Sequence, residues 1–121
     1  MVNLKKIVYD ILNNETIVEM GLTVLDAYPN EVETFPTVVF MEVNQNDIEF
    51  ADNKPLANNC EIEVHIFTKA VDGYMTTNEI ASVINNAMQE NFFIVSSNRE
   101  VPDSVDDVRH RVMNFRKVIF P

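Results

Sequence analysis

At 121 residues the chain is long enough to bury one core and reads as a single domain, residues 1–121. Its 46% hydrophobic and 23% charged content excludes wholesale disorder, and no apolar run approaches the roughly 20 residues that span a bilayer. A formal charge of −10 argues against nucleic-acid binding, which needs clustered Lys and Arg. A single cysteine, Cys60, excludes an internal disulfide and the multi-cysteine zinc sites.

The opening MVNLKKIVYDIL is interrupted by charge too often for a secretory core, so a cytoplasmic protein is expected. Leu4, Ile7, Val8, Ile11 and Leu12 recur at helical spacing and predict a helix from Asn3 to about Asn14. It could extend through Ile17–Met20, with Gly21 as the stop. A short strand over Leu22–Tyr28 is possible before Pro29, and an acidic connector then leads to Pro36. Thr37–Val43 is dense in β-branched and aromatic residues and apolar on both faces, a strand that wants cover on two sides.

Asn44–Asn58 is polar and contains Pro55, which suggests a long hairpin connection or an excursion from the body. Ile48, Phe50 and Leu56 are spaced along it, either to dock on a partner or to fold back onto the core. Asn59–Lys69 then alternates strictly, with Cys60, Ile62, Val64 and Ile66 against Glu61, Glu63 and His65, predicting a strand with one dry face. After the turn Val71-Asp72-Gly73, Thr76-x-x-Glu79 fits a capping box opening a helix to about Glu90. Ile80, Val83, Ile84, Ala87 and Met88 are its buried stripe. Phe92–Ser97 reads as a strand, Asn98–Val108 as an acidic turn region and Arg109–Phe120 as a final strand.

The expected fold is α+β, an α-β-β-α-β-β two-layer sandwich. About four strands form a mixed or antiparallel sheet, with two helices on one face and a long β-hairpin. Two helices cover only one face, so the apolar residues on the other call for a neighbouring subunit. Charge is segregated as well. Ile7 to Asn53 holds ten acids and no Lys or Arg, whereas Arg109, Arg111, Arg116 and Lys117 fall in the last strand without an acid between them. The basic strand either pairs locally or meets the acidic side of another copy.

Candidate catalytic groups are sparse. His65 and His110 sit mid-strand and could approach one another, with Cys60 nearby, but no loop supplies a further metal ligand. Glu61 and Glu63, about 7 Å apart on one strand face, are better read as cross-strand ion-pair partners of Arg109 or Arg111 than as cation ligands. Asp103, Asp106 and Asp107 lack the glycine and closing Glu of a calcium loop. Neither Gly21 nor Gly73 belongs to a phosphate-binding loop. No catalytic residue, cofactor site or metal site is expected.

Taken together, LKKIVYDIL, FPTVVFMEVNQND, FADNKPLAN, EIEVHIFTK, TTNEIASVINNAMQENF and RHRVMNFRKVIF resemble the small tail terminator proteins of long-tailed phages and their prophage relatives, also called tail completion or tail-to-head joining proteins. The resemblance covers nearly the whole chain through order, spacing and residue character rather than through one sharp motif. It implies a non-enzymatic structural role: a hexameric ring at the head-proximal end of the tail tube that ends polymerisation and joins tail to head. The implied partners are the chain itself, a tail tube protein and a head connector or completion protein, with no membrane and no specific nucleic acid, DNA only passing through the lumen. The implied location is the host cytoplasm during assembly and then the virion tail. The interface residues expected from the sequence are Arg109, Arg111, Arg116, Lys117, Glu61, Glu63, Ile48, Phe50 and Leu56. Head completion is the nearest confusable role; a ligand-binding regulatory module and an acidic DNA mimic are alternatives of other classes.

Overall fold

The amphipathic opening segment forms two helices rather than one. In the computed structural model, which describes residues 3–51, 54–103, 105 and 107–120 (backbone alone at 49–51 and 54–56), α1 spans Leu4–Leu12 and α2 spans Glu15–Glu19. The break falls at Asn13-Asn14. Asn14 takes an extended conformation and its side-chain oxygen accepts from the Ile17 amide at 2.9 Å, so it caps a new helix instead of continuing the old one. Gly21, at φ +73°, follows the end of α2 in the left-handed conformation a glycine adopts without strain.

Five strands follow: β1 (Thr23–Leu25), β2 (Thr37–Ala51), β3 (Lys54–Lys69), β4 (Ile94–Val101) and β5 (Val108–Ile119), with α3 (Thr77–Glu90) between β3 and β4. They make one mixed sheet in the order β1-β2-β3-β5-β4, parallel at β1–β2 and antiparallel elsewhere. The fold is α+β as expected, with five strands and three helices among the described residues in place of about four and two. α3 carries the chain past one strand position, which β5 then fills, so β5 is an interior strand and β4 an edge.

One sheet face is dry. Val38 and Phe40 from β2, Cys60, Ile62, Val64 and Ile66 from β3, and Met113 and Phe115 from β5 pack against the buried stripes of α1, α2 and α3. Each such aliphatic or aromatic side chain contributes roughly 1.5–3 kcal/mol by leaving water. α3 begins as its sequence predicts, with the Thr76 hydroxyl accepting from the Glu79 amide at 3.1 Å.

The other face is partly covered by the chain itself. Because β1 and β2 are parallel, residues 26–36 must travel back along the sheet before β2 begins, and the helices already occupy one side. Leu25, Val32 and Phe35 accordingly pack on Val39, Phe67 and Val108. The expectation that a second subunit must cover this face is therefore corrected for the part nearest β1.

Asn44–Asn58 is not a loop. β2 and β3 run on through it, pairing as far as Ala51↔Lys54, with a bulge at Val43. The extra residue there bends the pair away from the plain ladder. β5 accompanies β3 only to Asn58↔Ile119, so residues 48–51 and 54–57 continue as a two-stranded ribbon, roughly 13 Å past the end of the sheet at about 3.3 Å per residue. The later boundaries shift as well: β4 starts at Ile94 rather than Phe92 and runs through Val101, into the segment expected to be a turn.

Candidate assembly surface

The four basic residues of β5 do not form one surface. An interior strand offers its two faces and no edge, and alternation sends Arg109, Arg111 and Lys117 to the helix side and Arg116 to the open side. Arg111 is committed locally: its Nε donates to the Thr77 hydroxyl and its Nη1 to Asn98 Oδ1, both at 3.1 Å. With Lys69, Thr76 and Arg109 it lines a cleft of about 270 Å³ at the start of α3. The Lys117 ammonium lies over the rings of Phe92 and Phe93, at 5.8 and 5.3 Å from their centroids.

The expected cross-strand partners also change. Glu61 faces Arg116 and Glu63 faces Asn114, whereas Arg109 and Arg111 stand opposite Thr68 and Ile66. Register depends on where the β3–α3–β4–β5 excursion returns, which local pattern does not encode. Ile48 is half-buried in the ribbon. Phe50 and Leu56 occupy ribbon strand positions, and their side chains lie outside the described residues.

The two histidines do meet. On the open face His65 Nδ1 lies 2.8 Å from His110 Nε2 and 3.0 Å from the Tyr28 hydroxyl, and His65 Nε2 lies 2.5 Å from Glu63 Oε1. With Glu63 ionised, His65 donates to it from Nε2, and the single remaining ring nitrogen, Nδ1, is shared between the Tyr28 hydroxyl and His110 Nε2. Asn114 donates to the other Glu63 oxygen at 3.3 Å, and Phe67 stacks on His110 at 4.2 Å. Burial and the neighbouring His65 hold His110 below its ordinary pKa, against the opposing pull of Asp103 and Glu63. Burial pushes the Glu63 carboxyl up, but hydrogen bonds from His65 and Asn114, with the His65 and Arg99 charges, more than offset this and hold it down. Burial, with Glu63 and Asp103, raises the Tyr28 phenol.

A Glu-oriented histidine is half of a nucleophile-activating pair, but here the remaining nitrogen is already taken by Tyr28 and His110. His65 is only 8% exposed, and Cys60, the expected neighbour, is buried on the opposite face beside Asn58. What the cluster does is pin Tyr28, and with it the 26–36 connector, to β3 and β5. Among the described residues no group of three or more His, Cys, Asp and Glu is placed to hold a metal ion, and no helix is long and apolar enough to cross a membrane. Of the acidic turn, Asp107 bridges Lys69 at 3.2 Å and Asp103 accepts from the Val105 amide, while Asp106 lies outside the described residues.

The sequence reading missed an apolar patch where β4 begins and β5 ends. Ile94 pairs with Arg116, and Val118 follows on the same open face, with Phe120 beyond it. Ile94, Val118 and Phe120 are 59%, 42% and 66% exposed. Phe92 stands at the rim, 79% exposed and at φ +67°, the left-handed position closing α3 where glycine is usual. The signal was present in the alternation of Arg116, Val118 and Phe120, but it marks a patch only once β4 is known to lie alongside.

No family model matches the sequence, and no curated protein matches it. Solved structures do: 31 chains match in fold. One of them is a chain from the virion of a native gene transfer agent particle, with a TM-score of 0.69 and 15% sequence identity over 98% of this chain and 95% of that one. From the first described helix to the last strand, this chain has the fold of that virion chain.

Proposed function

We propose that the chain is a non-enzymatic structural component of a phage-like particle. In this reading it forms a ring, hexameric by the resemblance to tail terminators, at the head-proximal end of the tail tube. There it ends tube polymerisation and joins tail to head. It assembles in the host cytoplasm and remains in the virion, touching the tail tube protein on one side and the head connector on the other. The observation that carries this reading is the end-to-end likeness of fold to a chain of the gene transfer agent virion. A ring needs a head-to-tail contact that closes. The projecting ribbon and the exposed patch at Ile94, Val118 and Phe120 are two different surfaces suited to such a contact. The excess of acid over base would keep a lumen from holding passing DNA.

Electron microscopy of particles made from the parent genome with this reading frame interrupted tests the proposal. Overlong tubes, or finished tails without heads, are the expected result. Normal free tails beside leaking heads would assign the chain to head completion instead. Intact infectious particles would refute a structural role at this junction.

A further inference from the structure

His110 Nε2, at 2.8 Å, and the Tyr28 oxygen, at 3.0 Å, both lie against His65 Nδ1 on the open face. Hydrogen bonding uses this meeting incompletely. With the other His65 nitrogen given to Glu63, Nδ1 has one lone pair, and two donors compete for it. An electron-poor ion can instead take a lone pair from all three atoms. The loop ligand that the sequence did not reveal is Tyr28, brought over the sheet by the 26–36 connector.

The surroundings are those of a metal-ligating histidine. Glu63 Oε1 lies 2.5 Å from His65 Nε2, which fixes the tautomer with Nδ1 unprotonated and makes that nitrogen more basic. Asn114 holds the other Glu63 oxygen, and Phe67 stacks on His110 and fixes its plane. The charges of Glu63 and Asp103 both act on Tyr28 and on His110, against the single cation Arg99 acting on His110, so the local field favours a positive ion.

We infer that His65 Nδ1, His110 Nε2 and the Tyr28 oxygen bind a divalent metal ion of the zinc type, with Glu63 orienting His65 from behind. Imidazole donors suit zinc, nickel and copper rather than magnesium or calcium. Tetrahedral zinc with ligands at about 2.0–2.1 Å sets its donors roughly 3.3 Å apart, so these atoms separate by about 0.3–0.5 Å to admit it. Tyr28 lies outside the strand ladder and is free to yield, and at 46% exposure it marks the way in. Binding moves the His110 proton from Nε2 to Nδ1 and releases the Tyr28 hydroxyl proton to solvent. The ion would tie together segments at 28, 65 and 110 and fasten the connector over Val39, Phe67 and Val108.

The full chain, stripped with a chelator and returned to neutral pH, is titrated with zinc chloride by calorimetry. One ion per chain should bind, with a Kd of about 1 μM or lower. Glu63→Gln should weaken it about 10–100-fold, and Tyr28→Phe and His110→Gln at least about tenfold each. Circular dichroism of each metal-free variant checks that it folds. Imidazole nitrogen NMR of the wild-type chain needs no variant: zinc should shift His65 Nδ1 and His110 Nε2 and leave the proton on His65 Nε2. No binding at about 100 μM zinc, shifts at other nitrogens, or unchanged affinity in folded Tyr28→Phe or His110→Gln would each overturn the site. The role in the particle does not depend on this ion and stands or falls by the microscopy.

Discussion

Phe92 and Phe93 are neighbours with the same side chain, and its removal should be nearly neutral at the first and costly at the second. They close α3 through bonds from the Phe92 amide to the Gln89 carbonyl at 2.9 Å and from the Phe93 amide to the Met88 carbonyl at 3.0 Å. In this closure the first residue past the cap takes the left-handed conformation, and Phe92 does so at φ +67°. A side chain there costs about 1–2 kcal/mol, which Phe92→Gly removes. Against that stand about 0.4–1 kcal/mol of unfolded-chain entropy gained with glycine. The lost burial of a ring that is 79% exposed adds about 0.5 kcal/mol, and the lost contact with Lys117 a similar amount. The balance lies within about 1 kcal/mol of wild type. Phe93 is 1% exposed inside the helix–sheet core, so Phe93→Ala should cost about 3–5 kcal/mol. Urea unfolding followed by far-ultraviolet circular dichroism measures both. A loss of more than about 2 kcal/mol in Phe92→Gly would refute the account of a strained, solvent-facing ring. A near-neutral Phe93→Ala would refute the packing assigned to the α3–β4 corner.

Two further perturbations probe the scaffold. His110 binds its proton more weakly folded than unfolded, so stability should fall as pH drops below the ordinary value of 6.5 toward the folded one. Glu63 adds a further loss below its ordinary 4.5, and Tyr28 causes a loss as pH rises past 10.0. Urea midpoints measured across pH should lose the near-neutral slope in His110→Asn, and an unchanged slope would place the titration elsewhere. Thr76→Ala removes the cap on α3 and should cost about 1 kcal/mol by the same unfolding measurement, with Thr76→Asn restoring most of it. Equal losses in both variants would show that the hydroxyl's bond to the Glu79 amide is not what starts the helix.

Much of the scaffold was legible because it is local. The 3.6-residue spacing of Leu4, Val8 and Ile11, the strict alternation from Cys60 to Ile66, and Thr76 three residues before Glu79 each report on a few consecutive residues. All three hold in the fold. Asn44–Asn58 was expected as a long hairpin connection or an excursion, but its polarity hid how far the two paired strands extend into it. Its backbone pairs as far as Ala51↔Lys54, with Ala57 and Asn58 buried, but its polar side chains show no apolar alternation that would reveal the pairing. The bases read together along the last strand are divided between two faces, because that strand lies inside the sheet.

By itself the sequence determined the dry stripes of α1 and α3, the dry face from Cys60 to Ile66, and that the chain carries a large excess of acid. Strand order belongs to the tertiary structure. That β5 enters between β3 and β4, that residues 26–36 return over the open face, and that Ile94 comes beside Arg116 and Val118 all follow from pairings between distant segments. Such pairings are chosen by the total burial and hydrogen bonding of the whole sheet. No window of sequence contains that sum.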